Sequence, residues 1–105
     1  MIIVFIESPV FTRQAAELLD DDDYSELQQF LVTQPDAGDV IQDTGGLRKI
    51  RWVTAGSGKR GGSRVIYFYA AKQRQIRMLL IYRKGIKDDL SAAEKRVLRR
   101  LNENW

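Results

Sequence analysis

The chain contains no cysteine and no histidine. The first absence excludes disulfides, a thiol nucleophile and thiolate metal sites, and it suits a reducing compartment. The second removes the commonest general base and the commonest metal ligand. Proline occurs only twice, so few positions forbid helix or strand outright. No apolar run is long enough to span a bilayer. The opening "MIIVFIESP" lacks the basic flank and cleavage site of a secretory signal. A cytoplasmic protein without a membrane partner is the expectation. Cations are nearly missing from the first part of the chain. Residues 1–46 hold one, Arg13, against ten acids, whereas residues 47–105 hold sixteen cations against four acids.

What is present fits one compact domain. The chain has 105 residues, 44% hydrophobic and 30% charged, close to globular averages. The balances of −9 and +12 in the two parts, which leave only +3 overall, suggest a basic half that binds a polyanion. Two solvated faces that neutralise each other are the plainer alternative.

Hydrophobic periodicity gives the elements. "IIVFI" (2–6) is β-branched and short, as a buried strand requires. Ser8 offers an N-cap and Pro9 a first helical residue, and Val10, Phe11, Ala15, Leu18 and Leu19 follow at helical spacing. The run Asp20–Asp23 suits the positive end of a second helix, whose apolar face is Tyr24, Leu27, Phe30 and Leu31. Gln34-Pro35 stops it, and residues 35–46 read as an ordered surface loop. From Leu47 the period becomes two. "LRKIRWV" (47–53), "SRVIYFYAA" (63–71) and "IRMLLIYRK" (76–84) read as an antiparallel meander. Ser91-Ala-Ala-Glu94 is a capping box opening a helix with Val97, Leu98 and Leu101 on one face. The expected fold is α+β: a small twisted antiparallel sheet with helices packed on it, in the order β-α-α-β-β-β-α, with residues 1–105 forming one domain.

The segment "TAGSGKRGGSR" (54–64) contains a formal G-x-G-x-x-G match in Gly56, Gly58 and Gly61. A dinucleotide site needs that motif to open a helix, but a β-branched, aromatic segment follows here. A phosphate-binding P-loop fails too, because Arg60 stands where Ser or Thr should bind magnesium. No carboxylates pair at metal-ligand spacing in the basic half, so neither metal nor cofactor is expected. The remaining reading is a turn that leaves amides and cations to meet a sugar-phosphate backbone. A hairpin with solvated charges is the ordinary alternative. Lys49 and Arg51 share one face of their strand, Arg64 opens the next, and Arg83 and Lys84 close the third. If these strands pair, the cations converge on one surface, where an anion offsets their repulsion.

The block "DVIQDTGGLRKIRWVTAGSGKRGGSRVIYFYAAKQRQIRMLLIYRKGIKDDLSAAEK" resembles the HigB-like branch of the RelE/ParE toxin superfamily of bacterial type II toxin–antitoxin modules. The resemblance runs through most of residues 38–95. It implies a small cytoplasmic toxin that enters the ribosomal A site and cuts mRNA there without metal or cofactor. The implied partners are the 70S ribosome with its mRNA and a cognate antitoxin, a helix-turn-helix protein. Promoter DNA enters only through the antitoxin complex. The family's paired strand lysines fall on Lys49 and Arg51, its strand arginine on Arg64, and the basic residues after its last strand near Arg83 and Lys84. Arg48, Lys59, Arg60, Lys87, Arg96 and Arg99 are the further RNA- or ribosome-binding candidates. RelE's tyrosine near the start of the last helix corresponds to about Ser91, which breaks the match. Tyr82 is the nearest substitute, with Tyr67 behind it.

The implied chemistry has clear requirements. A 2′-hydroxyl attacks the adjacent phosphate, a base takes its proton, cations meet the charge on the phosphorane, and an acid protonates the 5′ leaving oxygen. Without histidine, lysine is the base expected, helped by neighbouring cations. Arginine holds its proton but forks onto phosphate oxygens. The catalytic candidates are therefore Lys49, Arg51, Arg64, Tyr82 and Lys84. The same fold also serves a non-catalytic ParE-like inhibitor of DNA gyrase, and a plain RNA-binding module is the third reading.

Overall fold

The structure is a computed structural model describing residues 2–53, 62–85 and 89–105. Its elements run β1 (Val4–Glu7), α1 (Pro9–Leu18), α2 (Asp21–Thr33), β2 (Asp39–Val40), β3 (Arg48–Trp52), β4 (Ser63–Ala70), a single 3-10 turn (Ala71–Gln73), β5 (Gln75–Arg83) and α3 (Ala92–Glu103). The five strands form one sheet in the order β1-β5-β4-β3-β2. The meander β3-β4-β5 is antiparallel as the periodicity predicts. Two features go beyond that expectation. The first strand joins β5 in parallel, making the sheet mixed, and the 35–46 loop contributes the two-residue strand β2.

The helix ends follow their side chains. Ser8 Oγ accepts from the Phe11 amide at 3.0 Å and donates to the Leu79 carbonyl at 2.8 Å, capping α1 and tying it to the sheet. Asp20 and Asp23 form a capping box on α2, and Ser91 and Glu94 form one on α3. Each satisfies two amides that a helix start leaves without partners.

Two cores lie on opposite faces of the sheet. Helices α1 and α2 cover the first, built from Phe11, Leu27, Leu31, Val65, Tyr67, Ile76, Met78 and Ile81. Helix α3 covers the second, where Leu98 meets Leu47, Ile66, Leu79, Tyr82 and Leu90. Helix α3 buries less than its apolar pattern suggests. Leu98 and Asn102 are its buried residues, while Val97 is 65% and Leu101 40% exposed. Its far end is held instead by Arg77. That guanidinium lies 5.5 Å from the Phe68 ring centre and 5.3 Å from that of Trp105, and it donates to Asn102 Oδ1 at 3.0 Å.

One irregularity organises the sheet. Ile66 faces Leu80, yet Tyr67 faces Met78, so Leu79 is an extra residue in β5. Such a bulge shifts the alternation of every residue beyond it. Ile76 and Met78 point into the first core before it, and Ile81 does so after it. Tyr82 consequently turns to the α3 face. Among the described residues, no helix is long and apolar enough to cross a membrane.

Candidate nucleic-acid interface

Strand pairing assembles the cations. Lys49 faces Ile66, and Arg51 faces Arg64, which in turn faces Tyr82 across β4 and β5. Residues directly opposite in an antiparallel pair share a face. Arg51, Arg64 and Tyr82 thus form one row across three strands, on the face bearing α3. Lys49 stands two residues along β3 on the same side, and the alternation carries Lys84 to that side at the sheet's end, where its amide donates to the Gly62 carbonyl at 3.1 Å.

Gly62 fixes how the chain enters this row. It adopts a left-handed backbone at φ +64°, and a Cβ there would lie 2.2 Å from the Trp52 carbonyl oxygen. Only glycine fits such an approach, so the chain can fold tightly back beside Trp52 and deliver Arg64 opposite Arg51. Gly56, Gly58, Lys59, Arg60, Gly61 and Lys87 lie outside the described residues.

Not every candidate joins the row. Arg48 faces Tyr67, one residue out of phase with Lys49, and its guanidinium donates to the carbonyls of Gly38 at 2.8 Å and Asp36 at 3.1 Å. It anchors a loop on the side away from α3. Arg83 is likewise out of phase with Tyr82 and lines a shallow hollow with Gln14, Glu17 and Leu18 near α1. Arg96 is exposed on α3. Arg99 pairs with Glu103 at 3.2 Å, one helical turn on.

The two tyrosines separate sharply. Tyr67 is wholly buried in the first core; its hydroxyl donates to the Pro35 carbonyl and accepts from the Gly38 amide, both at 2.9 Å. It holds the 35–38 turn against the sheet, and burial pushes its phenol pKa up. That role explains Gly38, where a Cβ would come within 2.9 Å of the Tyr67 ring and hydroxyl. Tyr82 lies on the cationic face, but its residue is only 5% exposed and its ring belongs to the second core. Burial makes it a wall of the site before it is a proton donor.

A carboxylate that the residue pattern did not single out also enters. Asp89 Oδ1 lies 3.0 Å from Lys49 Nζ. The Lys49 hydrogen bond and charge, with a contribution from Lys95, hold the Asp89 carboxyl below the usual carboxylate range. The partners are forty residues apart in sequence, so no local pattern announces the pair. Among the described residues no three metal-ligating side chains cluster. The row brings two guanidiniums and an ammonium to one face, groups whose geometry suits phosphate oxygens.

No family model matches this sequence. The fold does have a counterpart among solved structures. The E. coli toxin RelE, as an arginine-to-alanine double mutant in the free state, superposes with a TM-score of 0.59 over 97% of this chain and 98% of that one. The two sequences are 14% identical, so the likeness is one of fold.

Proposed function

We propose that this protein is the toxin of a type II toxin–antitoxin module, an endoribonuclease that cuts mRNA on the ribosome. The reading is carried by one observation: Lys49, Arg51 and Arg64, on two neighbouring strands, share one face of a RelE-like sheet. The HigB-like resemblance of residues 38–95 supports the same assignment. In this proposal Arg51 and Arg64 grip the scissile phosphate and stabilise the charge that develops on it as the 2′-hydroxyl attacks. Lys49 lies beside them as the ammonium-bearing member of the site, and Lys84 extends the cationic track at the sheet's end. Tyr82 supports the row from beneath. Lys59, Arg60, Lys87, Arg96 and Arg99 belong to the wider surface proposed to meet ribosomal RNA, and a cognate antitoxin neutralises the protein in a cytoplasmic setting.

The test is cleavage of a defined mRNA bound to purified 70S ribosomes. Cuts within the A-site codon are expected, and no cuts in the same mRNA without ribosomes. In cells, induction of the chain alone should depress methionine incorporation before thymidine incorporation. Thymidine falling first, with intact mRNA, overturns the reading and favours the gyrase inhibitor.

A further inference from the structure

On a face read as taking RNA, two carboxylates are out of place: Asp39, which faces Lys49 across β2 and β3, and Asp89, which is the one that reaches the Lys49 ammonium. A negative charge beside Lys49 and Lys95 repels the polyanion that the surface is proposed to bind. Chance placement of a long acidic side chain does not explain the Asp89 contact, because aspartate is short and the residues that follow it are anchored. Leu90 is 8% exposed in the second core, packed in the same cluster as Tyr82. Ser91 follows as the N-cap of α3, with its hydroxyl accepting from the Glu94 amide at 3.1 Å and its amide donating to Glu94 Oε1 at 2.9 Å. The backbone from Leu90 onward is thereby anchored, and the Asp89 carboxylate is held at Lys49.

The two ends of the pair differ in a telling way. The Lys49 side chain is 30% exposed and the Asp89 side chain 80%. The ammonium is thus part of the sheet surface, while the carboxylate lies on its solvent side, where a ligand arrives. A carboxylate oxygen at 3.0 Å from an ammonium has the distance and the charge that a phosphate oxygen would have there.

We propose that Asp89 is the resident counter-ion of Lys49, an internal stand-in for a phosphate oxygen that RNA displaces when it binds. The inference rests on the reading that this face takes RNA. The exchange keeps Lys49 hydrogen-bonded in both states, by Asp89 in the empty protein and by phosphate in the complex. It also offsets part of the attraction of the cationic row for any stray polyanion. The penalty falls on every ligand, and only one that engages the Arg51–Arg64 row as well recovers it. Asp89 is thus a threshold against weak, non-specific RNA contact.

The experiment measures binding of a short, fluorescently labelled single-stranded RNA, 2′-O-methylated throughout so that it cannot be cut, to the full chain at low salt. Asp89→Asn is expected to tighten binding about two- to fivefold, the range of an exposed ion pair released. Asp89→Glu is expected to bind as the wild type does. In the Lys49→Ala background, Asp89→Asn should give no gain, because the carboxylate acts through that ammonium. Unchanged or weaker binding by both Asp89→Asn and Asp89→Ser, with melting temperatures as in the wild type, overturns the proposal. So does a gain that persists without Lys49, which makes Asp89 a diffuse negative charge. Wild-type protein that binds this RNA yet leaves ribosomal mRNA uncut sinks the endonuclease reading while this comparison still decides the role of Asp89. Absence of RNA binding in wild type and Asp89→Asn alike overturns the displacement proposal, while cleavage on ribosomes separately decides the endonuclease reading.

Discussion

The two faces of the sheet are built on different principles. The face under α1 and α2 is an apolar interior: Phe11, Leu27, Leu31, Val65, Ile76, Met78 and Ile81 are fully buried. Asp20–Asp23 lie at the start of α2 on the outside of this layer and Glu7, at the end of β1, accepts from Thr12 Oγ1 at 2.6 Å, whereas Asp39 faces Lys49 across β2 and β3. The face under α3 is half interior and half binding surface. Its apolar part, Leu47, Ile66, Leu79, Leu90 and Leu98, is smaller, and Lys49, Arg51 and Arg64 continue the same strands toward solvent. The larger apolar core lies on one side, and the row of Lys49, Arg51 and Arg64 on the other. The charge split of the sequence is thus folded into one sheet, where Asp39 of the acidic part faces Lys49 of the basic part.

Substitutions can break this division, beginning with the largest effect. Leu31→Ala empties a fully buried position of the first core, and denaturant unfolding should show a loss of about 2–5 kcal/mol. The folded fraction should keep its cleavage rate on ribosomes; a rate that falls tenfold per folded molecule would mean the two faces are coupled. Arg64→Ala should do the reverse. It removes a cation from the row facing Arg51 and Tyr82, with ~10²–10³ lost in cleavage rate and the unfolding midpoint nearly unchanged. A folded Arg64→Ala protein that still cuts at the wild-type rate would falsify the assigned site.

Tyr67→Phe sharpens the comparison at intermediate size. It strips the Pro35 carbonyl and the Gly38 amide of their hydroxyl partner and should cost about 1–3 kcal/mol in stability, with cleavage intact. The sign with pH follows from its phenol. Burial raises the folded-state pKa of Tyr67, and burial with the Glu7 carboxylate raises that of Tyr24. A raised pKa contributes stability that is full below the unfolded value of 10.0 and lost as pH climbs above it. Melting temperatures should therefore fall above about pH 10, less steeply in a Tyr24→Phe/Tyr67→Phe double variant. An equally steep fall in that variant would assign the alkaline loss to other groups. The smallest effect concerns the end of α3. Trp105→Ala removes one of the two rings on Arg77 and should cost about 0.5–1 kcal/mol, seen as faster hydrogen exchange in the last turn of α3 without a change at the cationic row.

The helix starts were legible because their signals are local. Ser8-Pro9, the aspartate run and Ser91–Glu94 each carry their own capping chemistry within four residues. The side assignment of Lys49 and Arg51 was legible for the same reason, since strand alternation needs only adjacent residues. The strand β2 escaped because two residues have no period. The parallel pairing of β1 escaped because strands remote in sequence leave no trace of their neighbour. Arg48 and Tyr67 face each other across β3 and β4, out of phase with Lys49, and both hold the 35–38 turn. The Val97 and Leu101 pattern identified a helix correctly but not its contacts, because α3 rests on the sheet through a narrower line than its apolar residues allow.

The sequence by itself determined the helices, the longer strands, and that cations crowd its second half, because propensity, capping and charge are properties of neighbours along the chain. Whether those cations meet was decided by tertiary structure. A single extra residue at Leu79 reverses the alternation of β5, turning Tyr82 and Lys84 to the side of Arg64 instead of the side of Met78. A short segment before α3, anchored by Leu90, then brings Asp89 to Lys49. Both outcomes depend on which strand pairs with which and in what register. That choice is made by two cores competing for opposite faces of one sheet, and neither core exists until the chain has closed.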